Sequence, residues 1–216
     1  MNLTATLKKN GLIWLILIVP FVFIILYWNQ FPAQIPTHFN LKGEADGFSG
    51  KTFGLLLLPC INVLIYLLFI ALPKIDPSGK NFSLYPHKYK IIQLVLQLFI
   101  LILFFITAFY ALHKLNTSNL IDYVVILFLL VFGNYLGSIR HNYFIGIRTP
   151  WTLANEDVWT VTHRFAGKLW VAASIILLLI SFFIALSEAL FITYIAIIVV
   201  VPTIYSYILF KRIPKK

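Results

Sequence analysis

Apolar residues fall in six long runs along the chain, roughly 12–28, 53–72, 91–112, 120–139, 169–187 and 189–210, with short polar intervals between them. A run of about 20 apolar residues is what a helix needs to cross the hydrocarbon layer. Lipid offers no partner for a free backbone amide, so such runs fold as helices. The pattern therefore predicts an all-α membrane protein with six transmembrane helices. Only Ser187 and Glu188 divide the last two runs, which makes them a tight helical hairpin. Pro20, Pro59 and Pro202 lie inside runs, where a missing amide is expected to kink or locally open the helix. Gly133 and Gly137 form a Gly-x-x-x-Gly pair, read as close packing within the molecule in preference to a seam between two copies.

Composition agrees: 61% of the 216 residues are hydrophobic and only 11% charged, more apolar surface than a soluble domain buries. Charge then sets the orientation. Under alternate threading, fourteen of the seventeen Lys and Arg residues fall on one side, from Lys8 and Lys9 through Arg140 and Arg148 to Lys215 and Lys216. The other side has Lys42, Lys51 and Lys114. Basic residues mark the cytoplasmic face, so both termini are expected inside, loop 29–52 outside and loop 140–168 inside. The formal charge of +10 is then a topology signal and an attraction for membrane lipids. Its spread over four segments argues against direct nucleic-acid binding. The first run is longer than a signal-peptide core and no small-residue cleavage site follows it, so it reads as a retained anchor. Cys60 stands alone in an apolar run, which excludes a disulfide framework and a cysteine metal site. No ionisable residue falls near the centre of a run; Asp122 sits at the outer end of the fourth, close to Lys114. That argues against an ion-coupled pump. Asn62, Gln93, Gln97, Asn134 and Ser138 remain as intramembrane polar groups, either bonding between helices or lining a cavity.

Two loops carry the candidate chemistry. The outer one contains "PTHFNLKGEADGFSGK", residues 36–51, in which Gly43, Gly47 and Gly50 permit sharp turns. His38, Asn40, Glu44 and Asp46 supply oxygen and nitrogen donors, but too few and at the wrong spacing for a calcium loop. The alternative is a solvated hairpin in which Lys42 and Lys51 neutralise Glu44 and Asp46. In the inner loop, Thr152 or Asn155 is placed to cap a helix whose first turn carries Glu156 and Asp157. Trp159, His163, Ala166 and Trp170 share one face of that helix. One reading is an interfacial cytoplasmic helix between spans 4 and 5, with Arg164 and Lys168 near lipid phosphates. The other is a docking site for an acidic partner formed by Arg148, His163 and Arg164. No nucleophile stands at a recognisable spacing from that histidine, so the chain is not expected to be an enzyme. A membrane enzyme at the headgroup plane and a peptide transporter remain as alternatives.

The same loops carry a resemblance. "IPTHFNLKGEADGFSGK" is similar to the signature of a small bacterial membrane domain of uncatalogued function. "GNYLGSIRHNYFIGIRTPWTLANEDVWTVTHRFAGKLW" resembles the hallmark of the SdpI family, and "LPKIDPSGKN" fits the same arrangement. The resemblance implies a six-helix immunity protein of the bacterial plasma membrane. It implies a sporulation-delay type peptide toxin as partner on the outer face and a transcriptional repressor sequestered on the cytoplasmic face, with no cofactor and no metal. The outer positions it singles out, with Glu44 added from the loop reading, are His38, Phe39, Asn40, Gly43, Glu44, Asp46, Gly47 and Lys51. The cytoplasmic ones are Asn134, Asn142, Gly146, Arg148, Thr149, Pro150, Trp151, Trp159, His163 and Arg164. The chain accordingly divides into an N-terminal two-span unit, 1–90, and a four-span unit, 91–216.

Overall fold

The computed structural model describes residues 11–40, 42–113, 115 and 119–213. Lys8, Lys9, Lys114, Lys215 and Lys216, used above for orientation or placed beside Asp122, lie outside the described residues. The order of elements is α1 (Gly11–Tyr27), β1 (Gln34–Phe39), β2 (Ala45–Gly50), α2 (Lys51–Ile75), α3 (Pro86–Ala111), α4 (Leu120–Leu136), the short α5 (Pro150–Ala154), α6 (Glu156–Ser181) and α7 (Glu188–Arg212). Among the described residues, five helical segments are long and apolar enough to cross a membrane, the first counted over Gly11–Gln30 with the turn that follows α1; α4 is apolar but has 17 residues. The fold is thus mostly helical, as expected of an all-α membrane protein.

Two expectations need correction. The outer loop is a β-hairpin, so the chain is not wholly α. Its strands run antiparallel, with Ile35 opposite Ser49, Pro36 opposite Phe48 and His38 opposite Gly47. Both strands are edges, which is why Pro36 is tolerated in one. The separate interfacial helix is also absent, because Glu156–Ser181 is one continuous helix. Thr162 and His163 are fully buried on it while Arg164 and Lys168 are exposed. The polar residues that interrupt the hydropathy of this segment therefore partition between the protein interior and its surface, with no break in the helix.

The chain forms two compact units, 1–68 with 94–124 and 69–93 with 125–216. In the first, Ile24, Phe31, Ile35, Leu55, Phe104 and Ala108 make the core that seats the hairpin. Gly54 permits this contact: a Cβ there would lie 2.6 Å from the Cβ of Ile35. In the second unit, Ile126, Leu177, Leu186, Phe191, Tyr194 and Ile198 form the core. Trp170 Nε1 donates to the Ile198 carbonyl at 2.8 Å, and the Ser174 and Tyr194 hydroxyls meet at 2.7 Å, both tying α6 to α7. Gly133 and Gly137 lie against α6 of the same chain, where a Cβ on Gly133 would come 2.7 Å from the Cβ of Trp170. Of the intramembrane amides, Asn62 alone reaches between helices among the described residues, donating from Nδ2 to the Gln97 carbonyl at 3.3 Å. The Gln97 side chain is buried without a partner among the described residues, and Asn134 is exposed.

Candidate functional site

The hairpin turn is built by Asn40. Its Oδ1 accepts from the backbone amides of Lys42 at 2.9 Å and Glu44 at 3.0 Å, and its Nδ2 donates to Glu44 Oε2 at 3.1 Å. Gly43 takes a positive φ of 75°, a conformation that costs glycine little. Register slips on both strands, between Pro36 and His38 and between His38 and Phe39, bring His38 and Asp46 together. His38 Nδ1 lies 2.5 Å from Asp46 Oδ1, with side chains 71% and 46% exposed. A Cβ on Gly47 would sit 2.8 Å from the Cβ of His38, so the glycine keeps room for this pair. The expected lysine partners are replaced: Glu44 turns to Asn40, Asp46 to His38, and Lys51 Nζ lies 4.8 Å over the Trp28 ring. Phe39 packs edge-on against Tyr110 at 5.2 Å. Beneath the hairpin is a cavity of about 220 Å³, with Thr37 and His38 at its polar side and Leu57, Leu58, Leu103 and Ile106 among its apolar walls.

In the second unit, the segment between α4 and α5 is held from within. Asn142 is fully buried and satisfied: Nδ2 donates to the carbonyls of Arg140 (2.9 Å) and Ile145 (3.0 Å), while Oδ1 accepts from the amides of Phe144 (2.9 Å) and Ile145 (2.6 Å). Gly146 follows at φ 120°, and a Cβ there would run into His163 Nε2. That nitrogen accepts from the Ile147 amide at 2.9 Å, and Nδ1 faces the Trp159 carbonyl at 2.8 Å. A nitrogen accepting from N–H carries a lone pair and one facing a carbonyl carries hydrogen, so His163 is the neutral Nδ1–H tautomer. Its ring stacks on Trp159 at 4.0 Å, and Trp159 Nε1 donates to the Ile139 carbonyl at 2.9 Å. Thr149 caps α5 in a reciprocal box with Thr152, with Pro150 in the first turn, and Trp151 Nε1 donates to Ser206 Oγ of α7. Asn155 then caps α6, accepting from the amides of Asp157 and Val158.

These bonds divide the candidates of the second motif. Asn142, Gly146, Thr149, Pro150, Trp159 and His163 shape the segment, and fully buried His163 offers no surface for docking. Arg148 is exposed, steadied by a 3.0 Å bond from Nη1 to the Tyr143 carbonyl. Arg164 instead lines a cleft with Arg140 and Lys88, and Asn134 lines the adjoining groove. Several contributors were missed from sequence. Asp76 accepts from Ser78 N at 2.6 Å and from Tyr143 N at 2.8 Å. Asn81 donates to the His141 carbonyl at 2.9 Å, and His141 Nε2 faces the Leu153 carbonyl at 3.0 Å. The Asp76–Tyr143 and Asn81–His141 pairings span 67 and 60 residues; the quoted "LPKIDPSGKN" was the only signal available. Burial, with the Asp76 carboxylate nearby, pushes the Tyr85 phenol above its usual pKa, so it stays an O–H donor.

Comparison with known proteins follows this division. Residues 138–206 match the model of the SdpI/YfhL protein family, and residues 15–63 match a domain of unknown function, DUF1648. The Immunity protein SdpI of Bacillus subtilis (strain 168) is 29% identical over 213 residues, covering 96% of this chain and 98% of that protein. No solved structure matches the chain.

Proposed function

We propose that the chain, a multi-pass bacterial membrane protein similar to the SdpI/YfhL protein family, confers immunity against a membrane-active peptide toxin of the sporulation-delay type. The observation that carries the reading is likeness along almost the full length of both chains to a protein named for immunity. Geometry supports it at the hairpin. An exposed His38–Asp46 pair stands at the rim of an apolar cavity of about 220 Å³, and Phe48 and Phe53 are exposed beside it. An amphipathic peptide entering from the outer leaflet would find apolar walls and a polar rim together. On this reading six helices cross the membrane with both termini inside, the hairpin faces outward, and no residue has a catalytic role.

The finer part of the proposal is signalling. The exposed Arg148 at the segment between α4 and α5 would capture an acidic surface of a transcriptional repressor when toxin is present. A ligand outside shifts such capture only by binding one of two states of the protein more tightly. Expression in a toxin-sensitive host tests immunity directly. Growth is expected to be restored; no protection against any toxin of this type, at normal membrane levels, removes the reading. Retention of a repressor at the membrane, lost in Arg148→Ala while protection persists, tests the signalling part separately.

A further inference from the structure

Two clefts of the second unit meet at Gly137 and Arg164, which line both. The first, about 380 Å³, has Tyr85, His87, Lys88 and Arg140 in its wall. The second, about 560 Å³, continues past Lys168 along Gly133, Val171, Ala172 and Ile175. One end is cationic and the other apolar. The positions on α6 follow from helical spacing, since residues three and four apart share a face. Gly133, Gly137 and Gly167 let α4 and α6 approach closely, so the floor of the groove is formed by backbone where the two helices meet.

The cationic end is prepared for an anion by three independent features. No described carboxylate pairs with Lys88, Arg140 or Arg164, all of which are exposed. Helix α3, 26 residues long, begins at Pro86, and the amides of its first turn at His87 and Lys88 have no acceptor within the helix. Its dipole favours negative charge at that point. Tyr85, only 6% exposed, holds a buried O–H with no partner among the described residues. A buried donor left without an acceptor is destabilising, so a ligand oxygen reaching it would relieve that cost.

We propose that the joined clefts bind one anionic phospholipid, its phosphodiester among Lys88, Arg140, Arg164 and the start of α3, and one acyl chain in the groove along α6. A free phosphate would fill only the first cleft. The groove opens sideways, with Ala172 and Ile175 exposed, as a site filled from the bilayer requires. This is independent of immunity and rests only on the chain residing in a membrane.

The test uses full-length protein in detergent, offered equal amounts of dioleoyl phosphatidylglycerol and dioleoyl phosphatidylcholine, with retained lipid read by native mass spectrometry. Phosphatidylglycerol is expected to be retained at least about fivefold over phosphatidylcholine, and Arg164→Gln or Lys88→Gln each to lower that ratio about fivefold. Lys88 is exposed in the first turn of α3, so its variant reports even if Arg164→Gln fails to fold. Ala172→Phe, which fills the groove, is expected to lower retention with the cations intact. Equal retention of the two lipids overturns the site. So does an equal loss in Arg212→Gln, a cation at the far end of α7, which would make the preference diffuse surface charge. Displacement by inorganic phosphate with Ala172→Phe silent would make it a free-anion site and overturn the lipid assignment.

Discussion

Asn142 shows how much of the inner segment depends on one side chain. Replacing it with alanine leaves two amides and two carbonyls of residues 140–145 without their partner at a site closed to water. Unmade buried hydrogen bonds cost about 1–3 kcal/mol each and some will find new partners, so Asn142→Ala is expected to lose about 3 kcal/mol. Asn142→Asp keeps the acceptor but sets a second carboxylate oxygen against the carbonyls of Arg140 and Ile145 at a buried site, so it is expected to lose at least as much. Gly146→Ala strikes the same segment through sterics, since φ 120° is foreign to alanine and its Cβ meets His163. Thermal unfolding in detergent orders the three, and an unchanged midpoint in Gly146→Ala would show that the His163 contact is not needed. The hairpin should respond differently. His38 and Asp46 are exposed, and such pairs are worth at most about 1 kcal/mol. Asp46→Ala and Lys51→Ala are therefore expected to leave the midpoint near wild type and weaken protection in the growth assay. A large stability loss instead would assign those residues to folding.

At the scale of elements, α6 separates what was legible in the sequence from what was not. Its apolar half was evident from hydropathy, but the run was expected from 169 and the helix starts at Glu156. Thr160, Thr162, His163, Arg164 and Lys168 lower the local hydropathy, and only tertiary packing reveals that two of them turn inward. Its cap was legible, because Asn155 ahead of Glu156 and Asp157 is a start signal whatever follows. Asn155→Ala is expected to cost about 1 kcal/mol, read as a modest fall in the unfolding midpoint. The hairpin was legible as a turn and illegible as strands, since Pro36 and the glycines argue against a sheet that the Ile35–Gly54 contact nevertheless fixes. For the inner segment, residue types were visible as a motif, whereas the bonds from Asp76 and Asn81 join parts of the chain that no periodicity connects.

For the whole molecule, those long-range bonds bear on how often the chain crosses the bilayer. Tyr143 N donates to Asp76 Oδ2 at 2.8 Å, and Asn81 reaches the His141 carbonyl. The segment after α2 and the segment after α4 must then lie on the same side. On the six-span proposal, helix α3 leaves that side with 26 apolar-rich residues and α4 returns to it. At 1.5 Å per residue its 17 residues span about 26 Å, slightly short of a hydrocarbon core about 30 Å thick. A helix that short crosses where flanking side chains reach for the interface or the bilayer thins. Labelling tests the count in a Cys60→Ala background with a membrane-impermeant maleimide. Asp46→Cys is expected to label in intact cells, while Ser83→Cys and Arg148→Cys label together and only after permeabilisation. Separation of positions 83 and 148 would mean that α4 does not cross. Labelling of 148 but not 46 from outside would invert the orientation, take the hairpin away from an incoming toxin, and leave the proposed immunity mechanism without its receptor.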